Sequence, residues 1–317
     1  MKGYLLDKNG NESALPELLS WDVCHGTGEP CDYFEVKTVY SSAFLPKLAA
    51  ASRFKGVSEG KTVFYGVVDE YQISVDEKGS TVSINGRSLA ALLMDNEVQK
   101  NMYYSMSKSK MLEKYVSPCG ITNIADSTMS DVLMFSVRDG DSAWSALKRY
   151  CLKSSHCLPC FDAVGKLYLT GITGKSLTIN ADEYAVAMKY KDERYGVISQ
   201  ITVINRSNGG SYTLKNQAFI DRGGNRKQYY YTEKFNNILS DGSSITDTKF
   251  TGRHQIESSM FGKRCVELTL KRQFPCFPGD TVLLTCSAFG INKSCRVIKT
   301  HCWADAVSAG TSVTLEV

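Results

Sequence analysis

The sequence has no long apolar run and no strong excess of one charge. Its first residues, MKGYLLDKNGNESALPELLS, lack the roughly 7 to 15 apolar residues of a signal peptide, and no later run reaches the roughly 18 of a membrane span. The 37 basic and 33 acidic side chains leave a formal net charge of +4, which argues against a nucleic-acid groove. We therefore expect a soluble protein with no membrane-spanning segment, no export by a signal peptide and no sequence-specific nucleic-acid binding.

Familiar catalytic motifs are also missing. The chain has no G-x-S-x-G, no H-E-x-x-H, no P-loop and no G-x-G-x-x-G after a strand. Only four histidines are present: His25, His156, His254 and His301. His301 lies within a predicted strand, where a hydrogen-bonded sheet histidine is expected. The carboxylate pairs Asp69-Glu70 and Asp192-Glu193 are adjacent, so they point apart and solvated faces explain them. No catalytic residue is predicted, and the chain is not expected to be an enzyme.

Cysteine is plentiful but shows no disulfide or metal pattern. Eleven residues are an odd number spread over a long chain, so we expect mostly reduced thiols. Cys157-Leu158-Pro159-Cys160 follows a predicted helix, whereas a thioredoxin-like site needs its first cysteine at a helix N-terminus. Zinc needs four ligands, and Cys151 and His156 complete such a set only nominally. Core thiols are the expectation, with no metal and no cofactor. An enzyme that pairs Cys157 with a distant histidine remains an alternative.

The chain has the length of roughly two domains, each able to bury its own core. Residues 1–100 are strand-rich, with alternating apolar residues and glycine-bearing turns, and predict a small barrel or sandwich. Residues 101–188 predict an α/β insert. Residues 189–317 return to strands and predict a second β-domain, which could be a distant structural copy of the first. Within it, residues 237–252 predict a loop before a short helix at 253–264.

The stretch FYGVVDEYQISVDEKGSTVSINGRSLAALLMDNEV, from residue 64 to residue 98, predicts a hairpin followed by a helix. Apolar and polar residues alternate on both sides of a turn at residues 76–80, the period of half-buried strands. Ser88 is placed to cap the helix, and Leu89, Leu92 and Leu93 then share one face. Earlier in the chain, SSAFLPKLAAASRF predicts a short helix.

Three further elements are predicted in the insert. Ser107 is placed to cap a helix that ends before Pro118 and Gly120. An Asp N-cap opens a second helix in DGDSAWSALKRYCLKSS, and CLPCFDAVGKLYLTGI predicts a hairpin that turns at Val164-Gly165-Lys166.

The order of hairpin, Gly-Arg step and short helix resembles the tail-hub proteins of contractile phages, the late-control-D group, and the spike-hub proteins of related injection systems. The residues that carry this resemblance are Phe64, Gly66, Val68, Gly86, Arg87, Leu89, Leu92 and Asp95. Downstream, KMLEKYVSPCGI resembles the family's helix that ends in a Gly-Ile step, and RDGDSAWSALKRYC resembles its capped helix. FPCFPGDTVLLTC, which contains Gly279 and Asp280, is similar to the turn that opens a strand of the final barrel. The short helix in SSAFLPKLAAASRF departs from the family pattern.

The resemblance implies a mainly β fold with two tube-type β-barrel domains, residues 1–100 and 189–317, flanking the α/β domain at 101–188. It implies a homotrimer whose six barrels form a ring that matches a trimeric spike to a hexameric tail tube. The implied partners are tail tube, spike, baseplate and tape-measure proteins, and the implied location is the virion tail baseplate after synthesis in the host cytoplasm.

The resemblance also gives a role to the Gly-Arg step. Gly86 is expected to supply backbone freedom at a strand-to-helix turn, and Arg87 a charged fork for a carboxylate or carbonyls. A merely solvated turn is the alternative for this step. For the whole chain, the alternative is a β-rich glycan- or peptide-binding module in which Tyr229, Tyr230, Tyr231 and Trp303 line a site.

Overall fold

The computed structural model describes residues 1–27, 31–77, 79–206, 209–232 and 243–317, with side chains described from residue 251 in the last range. The chain is mainly β, as the sequence predicts, and is built around a large sheet that is antiparallel except for one strand pair. Among the described residues, none of the helices has the length and apolar character needed to cross a membrane.

The first region is a run of strands with two short helices. In chain order these are β1 Lys2–Leu6, β2 Glu12–Ala14, β3 Leu18–Gly26, β4 Tyr33–Val39, α1 Leu45–Ala50, β5 Arg53–Ser58, β6 Lys61–Asp76, β7 Gly79–Ser88 and α2 Ala90–Met94. Burial alternates along β4 residue by residue, because successive side chains of a strand point to opposite faces. The predicted hairpin at residues 64–98 and the short helix before β5 are both present.

The middle region packs helices on two small two-stranded sheets. Its elements are β8 Asn101–Met106, α3 Lys108–Met111, a π turn Leu112–Val116, a 3-10 turn Ser117–Cys119, β9 Val132–Val137, α4 Ala143–Ser155, β10 Cys160–Phe161 and β11 Leu167–Tyr168. In these sheets β8 pairs with β9 and β10 pairs with β11. Leu89 and Leu93 of the preceding segment lie in the same core, so the hairpin helix anchors this region to the first one.

Helix capping in these regions is partly as predicted. Ser107 caps α3 by accepting a hydrogen bond from the Lys110 amide. The prediction that Ser88 caps α2 is wrong: Ser88 is the last residue of β7, and its hydroxyl accepts from the Asp32 amide. An Asp N-cap for α4 is also wrong, because Ser142 is the cap residue and accepts from the Ser145 amide.

The last region continues the large sheet. Its elements are β12 Ser176–Asn180, α5 Ala181–Tyr184, β13 Ala185–Asp192, β14 Gln200–Ile204, β15 Ser211–Lys215, α6 Gln217–Ile220, β16 Lys227–Tyr231, α7 Ser243–Met260, β17 Arg264–Leu270, β18 Thr281–Cys286, β19 Ile291–Ala304 and β20 Ala309–Glu316. The predicted domain boundary between residues 188 and 189 falls inside β13, which pairs with β17. The strand before it, β12, pairs with β18 of the same sheet.

A small separate sheet interrupts this region. β14 lies between β15 and β16, and its buried residues Ile201 and Val203 share a core with Ile256 of α7. Residues 237–242 of the predicted loop lie outside the described residues. From Ser243 onward the loop prediction is wrong, because α7 begins there. The helix predicted at 253–264 is therefore the second half of a longer one that ends at Met260.

The large sheet contains the same strand order twice. In the first region the order is β3-β4-β7-β6-β5-β1, and in the last region it is β13-β17-β20-β19-β18-β12. Corresponding strands also follow each other in the same chain order. All corresponding pairs are antiparallel except the last, where β1 is antiparallel to β5 but β12 is parallel to β18. We call these two six-stranded sets the first unit and the second unit.

Candidate functional site

The two units are joined at one line of strand pairing, which we call the seam: residues 21–26 of β3 against residues 299–304 of β19. The seam lets one continuous sheet run through both units. Its pairs include His25 with Thr300 and Cys24 with His301.

Two histidine–aspartate contacts flank this seam. His25 is buried, with Nδ1 2.9 Å from Asp32 Oδ2 and Nε2 3.0 Å from the Val63 carbonyl oxygen. Across the seam, His301 Nε2 lies 2.6 Å from Asp22 Oδ2. His301 is thus a hydrogen-bonded sheet histidine, as expected, and its partner belongs to the other unit. Sequence reasoning missed this arrangement because the partners are 279 residues apart.

Gly66 and Gly86 lie in the middle of paired strands. A Cβ atom on Gly86 would stand 2.0 Å from the Val67 carbonyl oxygen and 2.8 Å from the Phe34 ring. A Cβ on Gly66 would stand 2.1 Å from the Arg87 carbonyl oxygen. The expectation that Gly86 frees a strand-to-helix turn is therefore wrong. Glycine is needed in these strands because backbone and aromatic rings approach too closely for a side chain.

Arg87 binds two carboxylates at the end of the same hairpin. Its Nε and one terminal nitrogen donate to Asp69 over 2.7 and 3.0 Å, and its terminal nitrogens donate to Asp95 over 3.1 and 2.8 Å. Asp69 lies at the β-bulge of β6 and Asp95 directly follows α2. These hydrogen bonds raise the pKa of Arg87. The guanidinium therefore ties the hairpin to the short helix.

The turn at Gly279 and Asp280 fixes the start of β18. Gly279 has a φ of 96°, in the left-handed region that favours glycine. The buried Asp280 carboxylate accepts hydrogen bonds from the Lys175 amide at 2.7 Å and from the Phe277 amide at 2.8 Å. Asp280 thus links the turn to the segment that leads into β12.

The cysteines include a cluster near the end of α4. Burial raises the pKa of Cys151 to about 12 and that of Cys160 to about 11, so both thiols stay protonated near neutral pH and are poor nucleophiles. Within the part of the chain that the structure describes, no group of three or more His, Cys, Asp or Glu side chains could hold a metal ion.

The adjacent carboxylate pairs are not simply solvated, contrary to expectation. Asp69 binds Arg87, and Asp192 pairs with Arg222. Glu193 pairs with Lys191 and Lys263, and hydrogen bonds from these two lysines lower the pKa of Glu193 to about 2. Apart from Lys191, which is two residues from Glu193, these cations are 18 to 70 residues away along the chain.

The tyrosine run alternates about its strand. Tyr229 and Tyr231 are exposed, whereas Tyr230 packs against the core of the small sheet. Trp303 lies in β19 of the large sheet, so it and the tyrosines belong to different sheets.

No protein-family model matches this chain, and no curated protein matches it by sequence. Solved structures do match its fold. A tail protein from Neisseria meningitidis MC58 is similar with a TM-score of 0.76 and 14% identity, over 99% of this chain and 95% of the other. The 43 kDa tail protein of prophage MuSo2 from Shewanella oneidensis is similar with a TM-score of 0.73 and 15% identity, over 100% and 98%.

A third similar structure comes from a secretion apparatus. This Escherichia coli component of the type VI secretion system, described as structurally similar to T4 bacteriophage tail proteins, has a TM-score of 0.57 and 10% identity over 95% of this chain and 73% of its own. The chain therefore has the fold of these phage tail proteins and of this type VI secretion component.

Proposed function

We infer that this chain is a non-enzymatic structural hub of a contractile tail or related injection machine, and that it acts as a homotrimer between a trimeric spike and a hexameric tail tube. The observation that carries this proposal is the repeated strand order. Two units of the same topology in one chain give six units in three chains, which is the number needed to face six tube subunits.

The seam supplies a physical reason for a ring. Within one chain the units already join edge to edge, so the same kind of contact between chains extends the sheet from copy to copy. A rotation that closes after three copies leaves no open end, and it covers edge strands that would otherwise promote aggregation. Closed symmetry of this kind provides threefold and pseudo-sixfold faces in one particle.

The proposal assigns roles to the predicted residues and partners. Gly66 and Gly86 allow close strand packing in the first unit, Arg87 fixes the hairpin to its helix, and Gly279 with Asp280 shapes the second unit. The tube, spike, baseplate and tape-measure proteins are the proposed partners, in the tail baseplate. The similarity in fold to two tail proteins and a type VI secretion component supports this assignment.

The mass of the purified protein tests the proposal. Light scattering coupled to size-exclusion chromatography, on the protein alone and after co-expression with its proposed spike partner, should give a species that contains three chains of 35.1 kDa each. The spike is included because assembly of the ring can depend on it. A dimer, a tetramer, or a monomer under both conditions would contradict the proposed trimer.

A further inference from the structure

We propose that residues 70–75 of β6 in one copy pair antiparallel with the edge strand β13 of a second copy, which repeats between chains the seam made within each chain. The proposal rests on the ring proposed above, because it names the strands that join its copies. Its own basis is the register of the two units and the exposed apolar residues of the two strands.

The units correspond residue by residue along the hairpin strands. In the first unit the pairing of β6 with β7 shifts at a bulge between Val68 and Glu70. In the second unit the pairing of β19 with β20 shifts at a bulge between Val297 and Lys299. Superposing these bulges places residue 70 on residue 299, and therefore residues 70–75 on the seam residues 299–304.

The opposite strands of the seam correspond in the same way. The pairing of β3 with β4 shifts between Leu18 and Ser20, and that of β13 with β17 shifts between Ala185 and Ala187. Residues 188–193 therefore occupy the place that residues 21–26 hold in the first unit. Two irregularities at matching places in two strand pairs fix the correspondence without any choice of alignment.

The two units differ at the edge that the seam uses. Residues 299–304 of β19 pair with β20 on one edge and with β3 on the other. In the described part of the chain, residues 70–75 of β6 pair only with β7, and β13 pairs only with β17. The second unit is therefore complete at this edge within one chain, whereas the first unit is not.

Burial shows the same difference. Thr300 is 1% exposed, and Cys302 and Ala304 pack against the core of the first unit. The residues at the corresponding places in β6 form an apolar row that the proposed pairing with β13 of a second copy would cover. Tyr71 is 37% exposed and Val75 is 74% exposed, with Ile73 between them on the same face.

The chemistry of β13 fits this row. The transferred register sets Ile73 opposite Tyr190 and Val75 opposite Met188, which lie where Val23 and Trp21 stand in the intramolecular seam. Glu70 lies directly opposite Glu193, a like-charge pair that disfavours pairing, and diagonal to Lys191, which already binds Glu193.

Lysines also occupy natural edge strands to prevent pairing, so the charges alone decide nothing. The register and the exposed apolar row favour pairing.

Cysteine cross-linking tests the register. Ser74 and Lys189 are opposite in the proposed pairing, and paired Cα atoms about 4.5 to 5.5 Å apart suit a disulfide. The full-length Ser74→Cys/Lys189→Cys variant should give covalent oligomers under mild oxidation, lost on reduction and absent from either single variant. The single variants control for the eleven native thiols. The matched pair Ser74→Cys/Glu12→Cys probes the strand at the opposite end of the sheet and should not cross-link.

A second variant keeps the test independent of disulfide chemistry. Val75→Lys places a charge on the exposed apolar row and should abolish the oligomer. Val307→Lys changes a valine that is even more exposed, in the turn after β19, and should leave the oligomer intact.

Each outcome has a distinct meaning. A 74–189 cross-link mapped by mass spectrometry supports the pairing. A trimeric mass without that link, or with the 74–12 link instead, overturns the pairing and leaves the proposed trimer standing. A monomeric mass without the link, alone and with the spike chain, contradicts both proposals.

Discussion

The two units carry different side chains at corresponding cross-strand pairs. In the first unit Phe34 pairs with Gly86, and the corresponding pair in the second unit is Val266 with Leu315. Between β5 and β6 of the first unit, Phe54 pairs with Gly66. The corresponding pair in the second unit, between β18 and β19, is Val282 with Cys295. The aromatic and aliphatic members of these four pairs are all buried.

This difference shows that the sheet specifies the volume of a cross-strand pair more strictly than the identity of either residue. A large ring beside a glycine and two medium side chains fill comparable space, and close-packed interiors tolerate such exchanges best when volume is conserved. The rings of Phe34 and Phe54 stack with centroids 4.1 Å apart. The first unit therefore depends on its glycines, and the second unit on its aliphatic residues.

Introducing a glycine at the corresponding position of the second unit, Leu315, should have the largest effect on stability. In Leu315→Gly the fully buried leucine is lost while Val266 is too small to fill the space, so a cavity forms and strand propensity falls. We expect the free energy of unfolding to decrease by about 4 kcal/mol. Chemical denaturation measures this change.

The matched control is the double variant Val266→Phe/Leu315→Gly, which rebuilds the aromatic–glycine pair. If the paired positions require a certain total side-chain volume, the double variant should be more stable than the sum of the two single effects predicts, by about 1 kcal/mol or more. Strict additivity would contradict the comparison.

The converse change, Gly86→Val, should be the next largest. Valine favours strands by up to about 1 kcal/mol, but its Cβ would meet the Val67 carbonyl oxygen and the Phe34 ring. Overpacking against backbone dominates, and we expect a loss of about 3 kcal/mol. Thr81→Val on the same strand is the control and should change stability by less than about 1 kcal/mol. Equal melting temperatures for Gly86→Val and the wild type would refute the close approach.

The residues directly before β5 and β18 differ between the units, and we expect their replacement to have smaller effects. Asp280 corresponds to Ser52, and the carbonyl of each accepts a hydrogen bond from the following hairpin. Asp280→Ala leaves the Lys175 and Phe277 amides without their acceptor, at a cost of about 2 kcal/mol. Ser52→Ala removes one neutral hydroxyl bond to the Leu6 carbonyl and should cost about 1 kcal/mol or less. Thermal denaturation of both variants compares them, and a larger effect of Ser52→Ala would reverse our assignment.

Arg87→Lys should have the smallest effect. Lysine keeps the charge but loses the fork that reaches both Asp69 and Asp95. Because the Arg87 side chain is 37% exposed, solvent screens these pairs, and we expect a loss of about 0.5 kcal/mol. Denaturation at low and high salt measures it. A loss of several kcal/mol would show that this junction carries more of the first unit than its exposure suggests.

Local patterns predicted the hairpin at residues 64–98, the Ser107 cap and the mainly β class, because these depend on neighbouring residues. The role of Gly86 could not be read locally, since the atoms that exclude a side chain belong to Val67 and Phe34. The caps of α2 and α4 were misplaced by one residue. The seam contact between Asp22 and His301 joins opposite ends of the chain, and only the folded sheet brings them together.

The most direct test of the account is an electron cryomicroscopy structure of this protein in its assembled particle. We predict threefold symmetry, with first and second units alternating around a central channel and β6 of each chain beside β13 of the next. A particle with another symmetry, or a threefold ring in which the units do not alternate, would contradict the claim that one duplicated sheet converts three chains into six matching faces.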